Sequence, residues 1–251
     1  MRLQEQTTAT VADRLGPETI AVLPVGSVEQ HGPALPLGTD RLAADGIADT
    51  VDRPDAIVLP PIPVGVSAHH EQFHGTLSVD PTTLEAYVTD VLASIATHDV
   101  TKAVIVNGHG GNTDALRRCA RRLRDEDTLF AVPWNWWDGL EDLIDEHLET
   151  SLGHADEVET SVMLALTDLV RESELPSAER DAVDAWGESV AGAPVAFDTI
   201  DFAPNGVVGH PTNGTAEIGE ALVDAAAADL DRLIDWLADH SAADLRRAPH
   251  R

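Results

Sequence analysis

Apolar residues in this chain fall into short continuous runs separated by longer stretches of mixed polarity. Four runs read as buried strands: Thr19–Pro24 (TIAVLP), Ala56–Leu59, Lys102–Val106 (KAVIV) and Leu129–Val132. The segments between and after them carry helical periodicity at Arg41–Asp52, from Pro81 to about Thr97, at Thr113–Asp125, Glu157–Val170 and Ile218–Leu237, and a short polar helix is expected at Glu5–Arg14. Asp80-Pro81 is the clearest boundary, an N-cap residue followed by proline at the first helical position. Residues 171–210 read as irregular. Strands that alternate with helices predict an α/β fold with a mainly parallel sheet. With no linker in evidence, residues 1–251 are expected to form a single domain.

The polar residues between these elements carry the chemistry. Gly26–Asp40, GSVEQHGPALPLGTD, places Glu29 and His31 two apart, a spacing that points both to the same side of an extended segment. Gly32, Pro33, Pro36 and Gly38 turn the chain so that Asp40 returns toward them. A polar surface loop and half a metal site both account for these residues alone. NGHGGN, Asn107–Asn112, follows the strongest strand, where ligands bind in open parallel sheets, and its glycines let a substrate or ion approach beside His109. An esterase oxyanion loop would need a G-x-S-x-G elbow, which is absent, and neither a Walker nor a G-x-G-x-x-G pattern is present. His70–His74 spells H-E-x-x-H, but Gly75 and the preceding prolines oppose the helix that a zinc-protease site requires. In HADEVETS, His154 and Glu159 can converge as ligand and proton carrier, or Glu157 and Glu159 can simply favour a helix N-terminus. Trp134, Trp136 and Trp137 suit the core, a subunit contact or the wall of an apolar pocket.

Charge narrows the class of partner. Forty-four acidic residues against 16 basic ones give a formal charge of -28, and Lys102 is the only lysine. No basic footprint for DNA or RNA exists. Such a shell fits a high-salt, halophilic cytoplasm, where the Debye length falls to roughly 3 Å at 1 M salt. A single cysteine, Cys119, permits no internal disulfide and favours an intracellular location. No signal-peptide core or membrane span is expected.

Taken together, LPVGSVEQHGPALPLGTD, GVSAHH with FHGTLS, VNGHGGN, HADEVETS and GVVGHPTNGTAEIGE resemble, in order, the motifs of the creatininase family of metal-dependent amidohydrolases. The resemblance spans roughly residues 22–220. It implies an α/β/α sandwich, two divalent ions (Zn, Mn or Fe), a small-molecule substrate and a ring-like homohexamer. Glu29, His31, Asp40 and His109 are the implied metal ligands, with Asp40 bridging, and His154 is the implied acid/base. Creatinine hydrolases proper carry a tyrosine and a metal-binding glutamate where this chain has Gly110 and Gly111, so Glu159 becomes the candidate replacement ligand and a second catalytic candidate. His69, His74 and His210 also depart from the residues usual at their positions. Ser67, His70, Gly110, Gly111 and Trp136 are the candidate substrate contacts. The implied reaction is hydrolysis of a non-peptide C–N bond in a cyclic amide or formamide. Creatinine hydrolysis, deformylation of a formamidopyrimidine and, outside enzymes, a metal-binding assembly role are the alternatives.

The acidic shell makes a direct prediction. Thermal melts between about 0.1 and about 3 M KCl should show melting temperature rising with salt as self-repulsion is screened. A flat profile would contradict the reading.

Overall fold

The computed structural model describes residues 1–147 and 152–248. In chain order its helices are α1 (Thr8–Val11), α2 (Thr39–Asp49), α3 (Pro81–Ala96), α4 (Thr113–Asp125), α5 (Glu141–His147), α6 (Glu157–Leu166), α7 (Leu175–Arg180), α8 (Ala216–Asp239) and α9 (Ala242–Leu245). The strands are β1 (Ile20–Val25), β2 (Ala56–Val58), β3 (Lys102–Asn107), β4 (Phe130–Asn135) and a small hairpin, β5 (Ser189–Val190) with β6 (Ala193–Pro194). The first four form one parallel sheet in the order β2-β1-β3-β4.

Alternate residues of each strand face opposite layers. Ile20 and Val22 of β1 join Val104 and Val106 of β3 in a core shared with α2, α6 and α8. Ala21, Leu23, Ala103 and Ile105 join the second core, beneath α3 and α4. Burial on both faces explains why the strands read as continuous apolar runs. The result is the expected α/β/α sandwich. Between β1 and β3 the strand order reverses, which opens a crevice at their carboxyl ends.

Several boundaries differ from expectation for local reasons. Thr7 accepts a hydrogen bond from the Thr10 amide, and this cap breaks the opening segment into α1 and flanking single turns instead of one helix. Helix α2 starts at Thr39 because Gly38 takes the capping position, so Asp40 sits in a helical first turn and not in the loop. Helix α6 stops at Leu166, where Thr167 turns extended. The irregular stretch contains α7 and the β5–β6 hairpin, whose Ala191-Gly192 turn has positive φ at both residues.

Lys102 is buried at the start of β3, and its Nζ donates to the carbonyls of Leu237 (2.9 Å) and His240 (3.1 Å) at the C-terminal end of α8. A cation there adds a partner to the carbonyls at the helix end and complements its dipole. Among the described residues, no helix is long and apolar enough to cross a membrane. Lys102→Met, which keeps the stem but removes the donor, should cost about 2 kcal/mol of stability in urea unfolding; an unchanged midpoint would contradict this role.

Candidate metal centre

The crevice at the carboxyl ends of β1 and β3 gathers the polar residues. Glu29, Gln30 and His31 follow β1, His109 follows β3, Asp40 enters from the first turn of α2, and His154 and Glu159 enter from the start of α6. Close packing of backbone makes this possible. A Cβ on Gly108 would lie 2.1 Å from the Asp40 carbonyl oxygen, and one on Gly26 would lie 2.3 Å from Arg41 Cα. Only glycine at both strand ends lets α2 descend between them.

Asp40 is buried and divides its two oxygens. Oδ1 lies 3.0 Å from His31 Nε2, and Oδ2 lies 3.1 Å from His109 Nδ1. Each imidazole is oriented by a backbone carbonyl at its other nitrogen: His31 Nδ1 donates to Glu29 O (3.1 Å), and His109 Nε2 to Val66 O (2.9 Å). That second partner is the usual support of a metal-binding histidine. Glu29 Oε2 lies 3.2 Å from His109 Nε2, and Glu159 Oε2 lies 3.6 Å from His31 Nε2. Three overlapping sets have ligand atoms within 4.8 Å of one another: Glu29, His69 and His109; Glu29, His31 and His154; His31, Asp40 and Glu159.

The donor set fits divalent cations. Glu29 Oε1 and Oε2, Asp40 Oδ2 and His31 Nε2 are buried without a well-formed hydrogen bond, although charged partners stand close by. Buried carboxylate oxygens left in that condition are costly unless a cation meets them. Mixed imidazole and carboxylate donors suit zinc, manganese or iron.

Neighbouring charges set the protonation states. Burial drives the Glu29 carboxyl up to about 7, against the pull of His109. Burial would also raise Asp40, but His31 and His109 outweigh it and hold the carboxyl well below the usual range. Burial opposes charge on His109, yet Glu29 and Asp40 raise it to about 9; Asp40 and Glu159 likewise raise His31. His154 moves the other way, down to about 4, through burial and the nearby His31.

The sequence reading missed Gln30. Its Oε1 accepts from the Gly32 amide, so its Nε2 is the donor, and it reaches the Gly206 carbonyl (3.0 Å) and His70 Nδ1 (2.9 Å). His70 therefore carries its proton on Nε2, facing Glu29 Oε1 at 3.3 Å. His154 Nε2 donates to the Gln30 carbonyl (2.8 Å), which leaves Nδ1 facing Glu29 and Glu159, each 3.9 Å away. Asp156 was also passed over. It caps α6 by accepting from the Val158 and Glu159 amides, and its pairing with the Gly153 amide secures the turn that presents His154. The signal for Asp156 was its N-cap position before a helix; Gln30 left none.

The remaining candidates separate. His70, Gly110, Gly111 and Trp136 line a cavity of about 300 Å³ over the cage. Ser67 does not; it is buried behind His109, its Oγ 3.4 Å from His109 Nε2 and against Ser27. Gly110 has open space beside it, whereas a Cβ on Gly111 would meet Val66 O and the His109 ring, so only Gly110 widens the cavity. His74 is exposed and His70 stands in a single 3-10 turn, so the H-E-x-x-H spelling presents no shared helical face. His210 pairs loosely with Glu179 and Asp184, away from the cage. His69 comes within ligand distance of Glu29 and His109.

The sequence model of the Creatininase family, described as creatinine amidohydrolase, matches residues 4–234. The chain belongs to the creatininase family. It is 32% identical over 234 residues to the mycofactocin precursor peptide peptidase of Mycolicibacterium smegmatis, covering 88% of this chain and 87% of that protein. It is 31% identical over 173 residues to the creatinine amidohydrolase of Pseudomonas putida, 61% of this chain and 66% of that one. A crystal structure of creatinine amidohydrolase superposes with a TM-score of 0.77 at 26% identity, covering 96% of this chain and 98% of that one. Creatininases of this fold include a manganese form and a zinc–zinc form.

Protein stripped of metal by a chelator should show the charge balance of the cage. The raised pKa of His109 contributes stability that is present in full below its ordinary value of 6.5 and is lost as pH rises through about 9. Melting temperature in chelator should therefore fall between about pH 6 and about pH 10, a fall that added zinc or manganese reduces. A rise over that interval would contradict the arrangement.

Proposed function

We propose that the chain is a metal-dependent amidohydrolase that cleaves a non-peptide C–N bond, in a cyclic amide or formamide, and that creatinine itself is a poor substrate. The observation that carries this is the division of the buried Asp40 carboxylate between two imidazoles beneath an open cavity. Glu29 and His109 would hold one ion and His31 and Glu159 the other, with the Asp40 carboxylate, one oxygen toward each imidazole, open to both. Glu159 replaces the acidic ligand that Gly111 does not supply, and its Oε2 already stands beside His31. Ions bound there lower the pKa of water to about 7 and act as Lewis acids toward an amide oxygen.

The protein's own groups do the rest. His154 is neutral, with its Nε2 proton held by the Gln30 carbonyl, so Nδ1 is free to accept a proton over the cage. The same nitrogen returns that proton to the departing amine. His70, fixed by Gln30, keeps Glu29 aligned through its Nε2 proton. Trp136 and Trp137 wall the cavity against water, and Gly110 leaves space for a group larger than creatinine.

A second reading, hydrolysis of a short peptide, is favoured by the extent of similarity: the peptide peptidase aligns with 88% of this chain, the creatinine amidohydrolase with 61%. The same proposal includes a high-salt cytoplasm and a homohexamer, which light scattering in concentrated KCl tests.

Elemental analysis combined with a panel of cyclic ureas, formamides and short peptides tests the function. The wild type should hold about two ions per chain. Asp40→Ala should lose both, and Glu159→Gln about one; unchanged content in Asp40→Ala would rule out the bridge. His154→Ala should keep its metal and lose about 10²- to 10⁴-fold in kcat. A kcat/KM for creatinine of about 10⁴ M⁻¹s⁻¹ or more would sink the substrate claim and leave the metal claim standing.

A further inference from the structure

A second cavity, unused by the chemistry above, adjoins the first. It measures about 300 Å³ and lies under the segment that contains the β5–β6 hairpin. His69 and Trp186 line both cavities and form the divide between them. Pro194, Phe197 and Phe202 supply apolar wall on the far side. Phe197 is 82% exposed, and Trp186, Val190 and Val195 are about half exposed. Aromatic surface of this kind left in water beside a reaction cavity marks a place for an apolar group.

The wall is a built structure. Trp186 Nε1 donates to the Leu152 carbonyl (3.3 Å), and its ring packs edge-on to Phe202 at 6.1 Å and lies 6.2 Å from His154. Asp201 Oδ2 accepts from the amides of Phe197 (3.2 Å) and Asp198 (3.1 Å), which fixes the backbone that carries Phe197. Charge selects as well. Glu188 lines the second cavity, Asp198 acts on His69, and no arginine or lysine lines either cavity among the described residues. In the second cavity Glu188 and the nearby Asp198 disfavour an anionic group, and a neutral or cationic one meets no such repulsion.

We propose that this second cavity is a substrate subsite for a neutral or cationic aromatic group attached a few bonds from the scissile C–N bond. The substrate is thus bipartite: its amide lies over the cage, and its ring lies between Trp186, Phe197 and Phe202. This rests on the amidohydrolase reading of the first cavity. The aromatic group belongs either to a small amide or to an aromatic residue of a peptide, and the chemistry recognised is the same.

Matched substrates test it on the metal-loaded full chain. One arm compares N-formylbenzylamine with N-formylmethylamine, and the other compares phenylalanine with alanine in otherwise identical tripeptides. The aromatic member of at least one pair should have a kcat/KM about tenfold higher, from apolar burial and ring packing. Phe197→Ser, which removes an exposed ring, and Ala196→Trp, which fills the cavity, should each bring that ratio close to one. An advantage in the formamide arm identifies a small aromatic amide, and one in the peptide arm an aromatic residue; either supports the subsite. A wild-type ratio near one in both arms, or a ratio unchanged in both variants, would overturn it. Altered oligomeric mass in Phe197→Ser with an unchanged ratio would assign the ring to a subunit contact and equally overturn it. If nothing is turned over, the hydrolase reading fails by itself, and calorimetric binding of the two formamides to the wild type and both variants then decides the subsite by the same tenfold criterion.

Discussion

A carboxylate that is fully out of water and faced by an imidazole at each oxygen is the arrangement to which the rest of this structure answers. Asp40 alone in an apolar crevice would protonate; His31 and His109 keep it charged, and it in turn keeps them charged. Neither imidazole is free to turn, because the Glu29 and Val66 carbonyls hold the opposite ring nitrogens. Protons meet the charge of this cage only partly, since several of its oxygens still lack a well-formed hydrogen bond. Divalent cations would meet it better, and their entry would expel protons.

Topology delivers these groups to one point. The strand order reverses between β1 and β3, so the loops after both strands open on the same crevice. Gly26 and Gly108 admit the first turn of α2 into that crevice at distances no side chain would allow. The fourth contributor, α6, is held by reciprocal backbone hydrogen bonds between His154 and Val208, both 2.9 Å. That pairing gives the GVVGH segment a structural purpose: it braces the turn on which His154 sits, and its first residue, Gly206, anchors Gln30.

The sheet and most helices were legible because two-sided burial writes itself as uninterrupted apolar runs, and Asp80-Pro81 as a helix start. Glu29, His31, Asp40 and His109 could be singled out as candidates because glycine and proline bracket them after strands, whereas Glu159 stood out only by its place beside His154 at a helix entry and by the family resemblance. What could not be read depended on contacts between distant segments. Gln30 orders two histidines forty and more residues away, and nothing in its local sequence separates it from a surface glutamine. Ser67 looked like a pocket residue by its motif, but the turn at Ala68–His70 directs it behind His109. Gly110 and Gly111 read alike in sequence; only the packing of Val66 distinguishes them. The hairpin of β5 and β6 was hidden by its brevity, two exposed residues per strand.

The central claim is that one carboxylate joins two metal ions. Anomalous diffraction from crystals of the metal-loaded protein, recorded on both sides of the metal absorption edge, locates the ions directly. The account predicts two peaks about 3.5 to 4 Å apart, one on the His31 and Glu159 side of Asp40 and one on the His109 and Glu29 side. A single peak, or two peaks that do not share Asp40, would contradict it.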